Sequence, residues 1–187
     1  ARTQLLGLAA VRDLKELRVF SPNAENRQAF AAWAGETIPG LTARAVDRAE
    51  DAVRDVDILV TITNAKEPIL EADWLSPGTH CSIVGAHYVD AREIDGTTLK
   101  RGRVIVDDLD QAFNEKGEIL IPLAAGEITR DHVMGCIGDV LAGRIKGRTS
   151  SDEITMFLSG GTSLEYMGAS AMLAQKAQGA GIGQVLD

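Results

Sequence analysis

Two short runs rich in β-branched residues constrain this chain more than any other feature. They are Asp57-Ile58-Leu59-Val60-Thr61-Ile62-Thr63 and Gly78-Thr79-His80-Cys81-Ser82-Ile83-Val84-Gly85-Ala86-His87. Each stops at small or polar residues rather than at a turn cluster. Such runs read as buried parallel strands, because both faces must be apolar when helices cover them. In an open α/β sheet, ligands sit beyond the carboxyl ends of the strands. Thr61, Thr63, Gly85 and His87 are therefore expected to line a crevice.

The 187 residues suggest one domain of ordinary size with room for a small appendage. Apolar residues make up 45% of the chain and aromatics only 4%, so the core should be aliphatic. A formal charge of −8 and a pI near 4.9 argue against a nucleic-acid or anionic-membrane surface. Helix ends and backbone amides could still hold a cofactor phosphate locally. Cys81 and Cys136 are too few for a disulfide framework, which suggests reduced thiols and a cytoplasmic setting. No run reaches the length of a membrane span, and the N-terminus does not read as a signal peptide.

Strands are expected at 17–20, 42–46, 57–62, 80–84, 103–106 and 154–158. Helices are expected at 1–11, 24–35, 48–56, 108–115 and 164–178, with a helical turn at 69–75. Gly117 reads as the stop of the 108–115 helix. From Ile128 the chain reads as helical, with Asp131 as a cap near the start and Gly143 near the end. Residues 147–151 read as a surface turn. Strands alternating with helices at this spacing imply βαβ units and a doubly wound, Rossmann-like parallel sheet. The first helix has no N-cap, no initiating Met and no strand before it, as expected of a piece of a longer protein.

Several segments, in order, resemble the ornithine cyclodeaminase/mu-crystallin family. They are the Asp57–Thr63 strand, Glu67-Pro68 with Trp74-Leu75-Ser76-Pro77-Gly78, and Val84-Gly85-Ala86 leading to Arg92-Glu93-Ile94-Asp95. Val104-Ile105-Val106-Asp107, Gly126-Glu127-Ile128-Thr129, Asp152-Glu153-Ile154-Thr155 and Phe157-Leu158-Ser159 follow. The resemblance implies a dinucleotide-binding domain at 1–159 that begins after its first strand and glycine-rich phosphate loop. It also implies a C-terminal helix at 160–187 that returns to an N-terminal substrate and dimerisation part upstream of Ala1.

Against that family, residues after the second Rossmann strand meet the cofactor's adenosine ribose. An acidic residue there would favour NAD, whereas polar or basic groups admit the 2′-phosphate of NADP. Ser21, Asn23 and Arg27 stand there with no acid, so NAD or NADP is expected, with a lean toward NADP. Ser21-Pro22-Asn23 also reads as an ordinary turn and helix cap. Thr61 and Thr63 match a turn that touches the dinucleotide in the family, and both could instead bond nearby backbone. Val84 and Gly85 would let backbone approach the nicotinamide, since glycine carries no side chain to block it. The resemblance places Ser159 on the nicotinamide side, with Gly160 toward substrate, although the pair also suits a plain strand-to-helix turn. Leu158 stands where a Lys is common in the family.

The family's cyclodeaminases carry a catalytic Asp at the position of His87. A histidine can give and take protons near neutral pH, which suits proton transfer to an imine or amine nitrogen. Asp90 is a candidate substitute acid. The resemblance thus implies an NAD(P)-dependent oxidoreductase acting on a small amino or imino acid, as a homodimer when full length. Ornithine cyclodeaminase activity with tightly held NAD, or NADPH and small-ligand binding of mu-crystallin type, are the alternatives it leaves open. Gly179-Ala180-Gly181-Ile182-Gly183 follows a helix rather than a strand and reads as a helix stop, not a phosphate loop. His80 and His132 lack ligand-like spacing with the cysteines, so no metal is expected.

Overall fold

The computed structural model describes residues 1–85 and 88–184, and strands alternate with helices along the chain. β1 (Glu16–Val19) and β2 (Thr42–Ala45) pair in parallel as a two-stranded sheet. β3 (Ile58–Thr61), β4 (His80–Ile83), β5 (Arg103–Val106), β6 (Val133–Cys136) and β7 (Thr155–Leu158) form a second parallel sheet. Its order is β3-β4-β7-β5-β6. Among the described residues, no hydrogen-bonded ladder joins the two sheets.

Helical crossovers connect the strands, as parallel pairing requires. α1 (Arg2–Val11) precedes β1, and the connections include α2 (Ala24–Thr37) and α3 (Ala49–Val53), then α4 (Gly96–Leu99), α5 (Leu109–Glu115) and α6 (Gly117–Ala124). α7 (Ile137–Leu141) and α8 (Ser163–Ala180) complete the chain. The expected 48–56 helix shortens to α3, and the 69–75 helical turn to a 3-10 turn at Ala72–Trp74.

The main core is aliphatic, as the composition predicts. Leu59, Cys81, Ile83, Met156 and Leu158 point to the face that receives Leu99 of α4, Ala112 of α5 and Ile119 of α6. The alternate residues Ile58, Val60, His80, Ser82 and Phe157 are only half-buried, so one face is sealed more fully than the other. This differs from the expectation of two equally buried faces and explains why polar His80 and Ser82 are tolerated inside a strand. A smaller cluster packs Leu5 of α1 against Ala34 of α2, with Ile38 and Leu41, beside the two-stranded sheet.

Two expectations fail downstream of β5. Gly117 does not stop a helix but opens α6, a helix unmarked in the sequence because Gly117 and Pro122 both look like breakers. A Cβ on Gly117 would run into the carbonyls of Ala91 and Tyr88, so close backbone approach explains the glycine. The helix expected from 128 is instead a 3-10 turn at Arg130–His132, edge strand β6 and the short α7. Its cap is Thr129, which forms a capping box with His132, rather than Asp131. Gly143 does end α7 with φ +70°. Gly181 caps α8 in the left-handed conformation at φ 65°, the role expected of the last glycine run.

Candidate functional site

Strand register brings the site together. Thr61 pairs with Ile83, Ile83 with Leu158, and Leu158 with Val106, so the carboxyl ends of β3, β4, β7 and β5 lie in one row. The ladder runs one step further through Val84 N–H to the Thr61 carbonyl (2.9 Å) and Ser159 N–H to the Ile83 carbonyl (3.0 Å). Thr61, Thr63, Val84, Gly85, Ser159 and Gly160 thus share one edge of the sheet, where ligands sit in folds of this kind.

Glu93 holds this edge from below. Its side chain is fully buried, and its carboxylate accepts hydrogen bonds from Thr61 Oγ1 (2.7 Å), Thr63 N–H (2.7 Å) and Gly85 N–H (2.8 Å). A Cβ on Gly85 would overlap that carboxylate. The close approach that makes residue 85 glycine is therefore to Glu93, not only to a ligand. Thr61 is buried with its hydroxyl engaged by Glu93. Thr63 is exposed, and its Oγ1 accepts a hydrogen bond from Ala65 N–H (3.1 Å).

The β5 and β7 ends are tied by a second carboxylate. Asp107 Oδ2 accepts hydrogen bonds from Gly161 N–H (2.7 Å), Ser159 Oγ (3.2 Å) and Gly160 N–H. Gly161 has φ +74°, which turns its amide inward at little steric cost. Lys116, between α5 and α6, is almost wholly buried and donates from Nζ to the Ser159 carbonyl at 2.6 Å. Burial pushes its ammonium below the usual lysine range, while the nearby charges of Glu118, Asp107, Glu93 and Glu115 act the other way. Burial also raises the Glu118 carboxyl. Its Oε1 accepts Glu93 N–H at 3.3 Å, and its Oε2 is buried without a partner among the described residues.

Sequence reasoning assigned no role to Glu93, Asp107, Lys116 or Glu118. Asp107 could have been found by the rule that nominated the threonines, since it ends the apolar strand Val104-Ile105-Val106. Glu118 carries a weaker signal, a lone acid within Ile119-Leu120-Ile121-Pro122-Leu123. Glu93 and Lys116 carry no local pattern, because a buried charge is justified by partners distant in the chain.

Ser21, Asn23 and Arg27 gather at the end of β1, in the smaller sheet. Asn23 caps α2 by accepting Asn26 N–H (2.9 Å). Arg27 donates to the Ser21 carbonyl (3.0 Å) and pairs with Asp47 (2.6 Å), whose side chain is 90% exposed. The turn-and-cap role is therefore present at Asn23, and the basic group sits beside Ser21.

His87 lies outside the described residues; Asp90, close by in sequence, is exposed. Cys81 is fully buried, and burial pushes its thiol up to about 12, as for an inert core cysteine. His80 bonds Thr155 Oγ1 through Nδ1 at 2.8 Å. A recess of about 610 Å³ lies at the opposite, amino-end edge and is lined by Lys100, Arg101, Arg103, His132, Asp152 and Glu153. Its groups largely satisfy one another: Arg103 lies 3.7 Å from Glu153, and Thr129 holds the His132 ring. The carboxyl edge, where the ends of four parallel strands lie in one row, is the stronger candidate.

The sequence profile of the ornithine cyclodeaminase/mu-crystallin family matches residues 1–181. A Delta(1)-pyrroline-2-carboxylate reductase of Colwellia psychrerythraea is 35% identical over 166 residues, covering 89% of this chain and 52% of the relative. The structure of Thermococcus litoralis Delta(1)-pyrroline-2-carboxylate reductase in complex with NADH and L-proline superposes with a TM-score of 0.95 at 33% identity. That match covers 99% of this chain and 57% of the other. An archaeal alanine dehydrogenase dimer with bound NAD gives a TM-score of 0.92 at 31% identity, covering 100% and 57% respectively. The chain thus spans about half the length of these relatives.

Proposed function

Because the chain belongs to the ornithine cyclodeaminase/mu-crystallin family, we propose that its carboxyl-edge crevice holds the nicotinamide end of NAD(H) or NADP(H). The whole protein then reduces a ketimine, or oxidises a small α-amino acid to its imine, which water hydrolyses to the keto acid and ammonia. The observation that carries this reading is the aligned row of strand ends, which sets Thr63, Gly85, Ser159 and Gly160 on one edge. The relatives crystallised with NADH and L-proline or with NAD support the cofactor and the substrate class.

The residues present fit such a cofactor at two points. Amides and glycines without side chains leave the crevice rim open to a flat ring, and Ser21, Asn23 and Arg27 offer polar groups suited to a ribose or its 2′-phosphate. A bound nicotinamide would supply hydride to the imine carbon or accept it in reverse. Within this chain, Thr63 and Gly160 line the rim, and Ser159 is held in place by Asp107 and Lys116. His87 is assigned the nitrogen's proton, donating it as the imine is reduced and accepting it in reverse.

α8 belongs to the same proposal. Its apolar side chains Leu164, Tyr166, Met167 and Leu173 are exposed, which suits a helix from 160 onward that docks on a part of the protein outside this chain. With that part, the protein is proposed to be a homodimer. No helix of the described residues is long and apolar enough to cross a membrane.

The test is steady-state turnover of the full-length protein with NADH and NADPH against cyclic ketimines, and with NAD and NADP against small amino acids. Reduction of a cyclic ketimine, cut at least about 100-fold in kcat by His87→Ala, is the expected result. Nucleotide binding without turnover over the panel would favour a binding protein instead. Conversion of ornithine to proline and ammonia without net nucleotide turnover would favour a cyclodeaminase.

A further inference from the structure

Glu93 lies beneath the rim, yet it bonds backbone amides of two neighbouring strand ends. Thr63 N–H comes from the end of β3 and Gly85 N–H from the end of β4, each within 2.8 Å of the same carboxylate. A third bond, from Thr61 Oγ1, fixes the carboxylate against β3 (2.7 Å). Glu93 is itself fixed at both backbone groups: its N–H donates to Glu118 Oε1 (3.3 Å) and its carbonyl accepts from Ile69 N–H (2.9 Å). An ionised carboxyl accepts hydrogen bonds and donates none, which matches the three donors that converge here.

Beside it, the junction Lys116-Gly117-Glu118 packs against the backbone of Tyr88 and Ala91. The Tyr88 and Ala91 carbonyls lie so close to Gly117 that no Cβ would fit. Lys116 reaches across to the β7 end at Ser159. The rim of the crevice is therefore built on a buried platform of Glu93, Lys116, Gly117 and Glu118.

From this we infer that Glu93 is a positioning residue of the proposed nicotinamide site. It sets the separation of the Thr63 and Gly85 amides, and so the placement of the β3 and β4 ends at the rim. The inference rests on the reading of this edge as the nicotinamide site. Small displacements of reacting groups cost rate far more than they cost overall binding, because the rest of a dinucleotide is held elsewhere.

The experiment uses the full-length protein and compares wild type with Glu93→Gln and Thr61→Val. NADH is titrated by fluorescence to count binding-competent sites, and kcat is then expressed per such site. Glu93→Gln keeps the size of the side chain but turns an NH2 donor toward an amide donor. It is expected to lower kcat per site at least tenfold while the NADH Kd changes less than threefold. A purely structural role would lower the number of competent sites and leave kcat per site unchanged, and that result would overturn the inference. Thr61→Val removes one of the three bonds and should lower kcat per site about threefold. If Glu93→Gln does not fold, an unchanged kcat per site in Thr61→Val overturns the inference by itself. A wild-type protein that binds neither NADH nor NADPH, titrated alike, would instead refute the reading of the site and leave no role for Glu93 in positioning.

Discussion

At the carboxyl end of β3 and β4, the carboxylate that ties the chain together is fully buried and accepts three hydrogen bonds. At the carboxyl end of β1, Arg27 pairs with Asp47, a side chain 90% exposed. One site is organised by a carboxylate withdrawn from water, the other by a pair whose carboxylate remains in it although the Arg27 side chain is only 14% exposed. Removing a partner from a buried charge strands polar groups where water cannot reach them, whereas an exposed pair is replaced by hydration. The same chemistry should therefore be rigid and costly to disturb at one end, and soft and adjustable at the other. Rigidity suits the end proposed to align reacting atoms. Adjustability suits the end that only has to admit one dinucleotide or another.

The largest expected effect comes from Glu93→Ala, which leaves the Thr63 and Gly85 amides without their acceptor. Urea denaturation should show a loss of about 3 kcal/mol or more. A loss below about 1 kcal/mol would mean the buried end is no stiffer than the exposed one. Asp107→Ala should cost about 2 kcal/mol in the same assay by freeing the Gly160 and Gly161 amides. Asn23→Ala removes the cap of α2 and should cost about 1 kcal/mol. Asp47→Ala should change stability by no more than about 0.5 kcal/mol. It releases Arg27 from its carboxylate, so NADPH affinity should rise relative to NADH, as the lean toward NADP requires. An unchanged ratio would remove Arg27 from cofactor selection.

The smallest effect concerns pH. Burial, followed by the charge of Arg148, lowers the His80 imidazole below its ordinary 6.5. As pH falls, the unfolded chain takes up this proton before the folded one does, so acid favours unfolding. The stability His80 permits is fully present above about pH 6.5 and declines as pH drops from there toward the lowered value. Melting temperatures between pH 5 and 7 should show this slope in the wild type and a shallower one in His80→Gln.

What could be read from the sequence follows the same division. The strands at 57–62, 80–84, 103–106 and 154–158 were legible because β-branched runs between turn residues have few other uses, and the observed strands fall inside them. Val133-Met134-Gly135-Cys136 was not, because Val133, Cys136, Ile137 and Val140 satisfy helical spacing as well as they fill an edge strand. α6 was hidden by Gly117 and Pro122, whose presence reflects a close backbone approach and a tolerated proline rather than a break. At the candidate site, the place of Thr63, Gly85 and Ser159 just past strand ends was legible because a strand end is a local feature. Glu93, which bonds the first two, was not, because its partners are 30 and 8 residues away in sequence.

The account turns on where the nucleotide binds, and hydrogen–deuterium exchange of the full-length protein alone and with saturating NADH or NADPH tests that directly. Added protection should appear at residues 61–65, 84–93 and 159–162, on the carboxyl edge of the five-stranded sheet. Protection confined to the opposite edge, around 100–103 and 129–134, or no change anywhere, would contradict it.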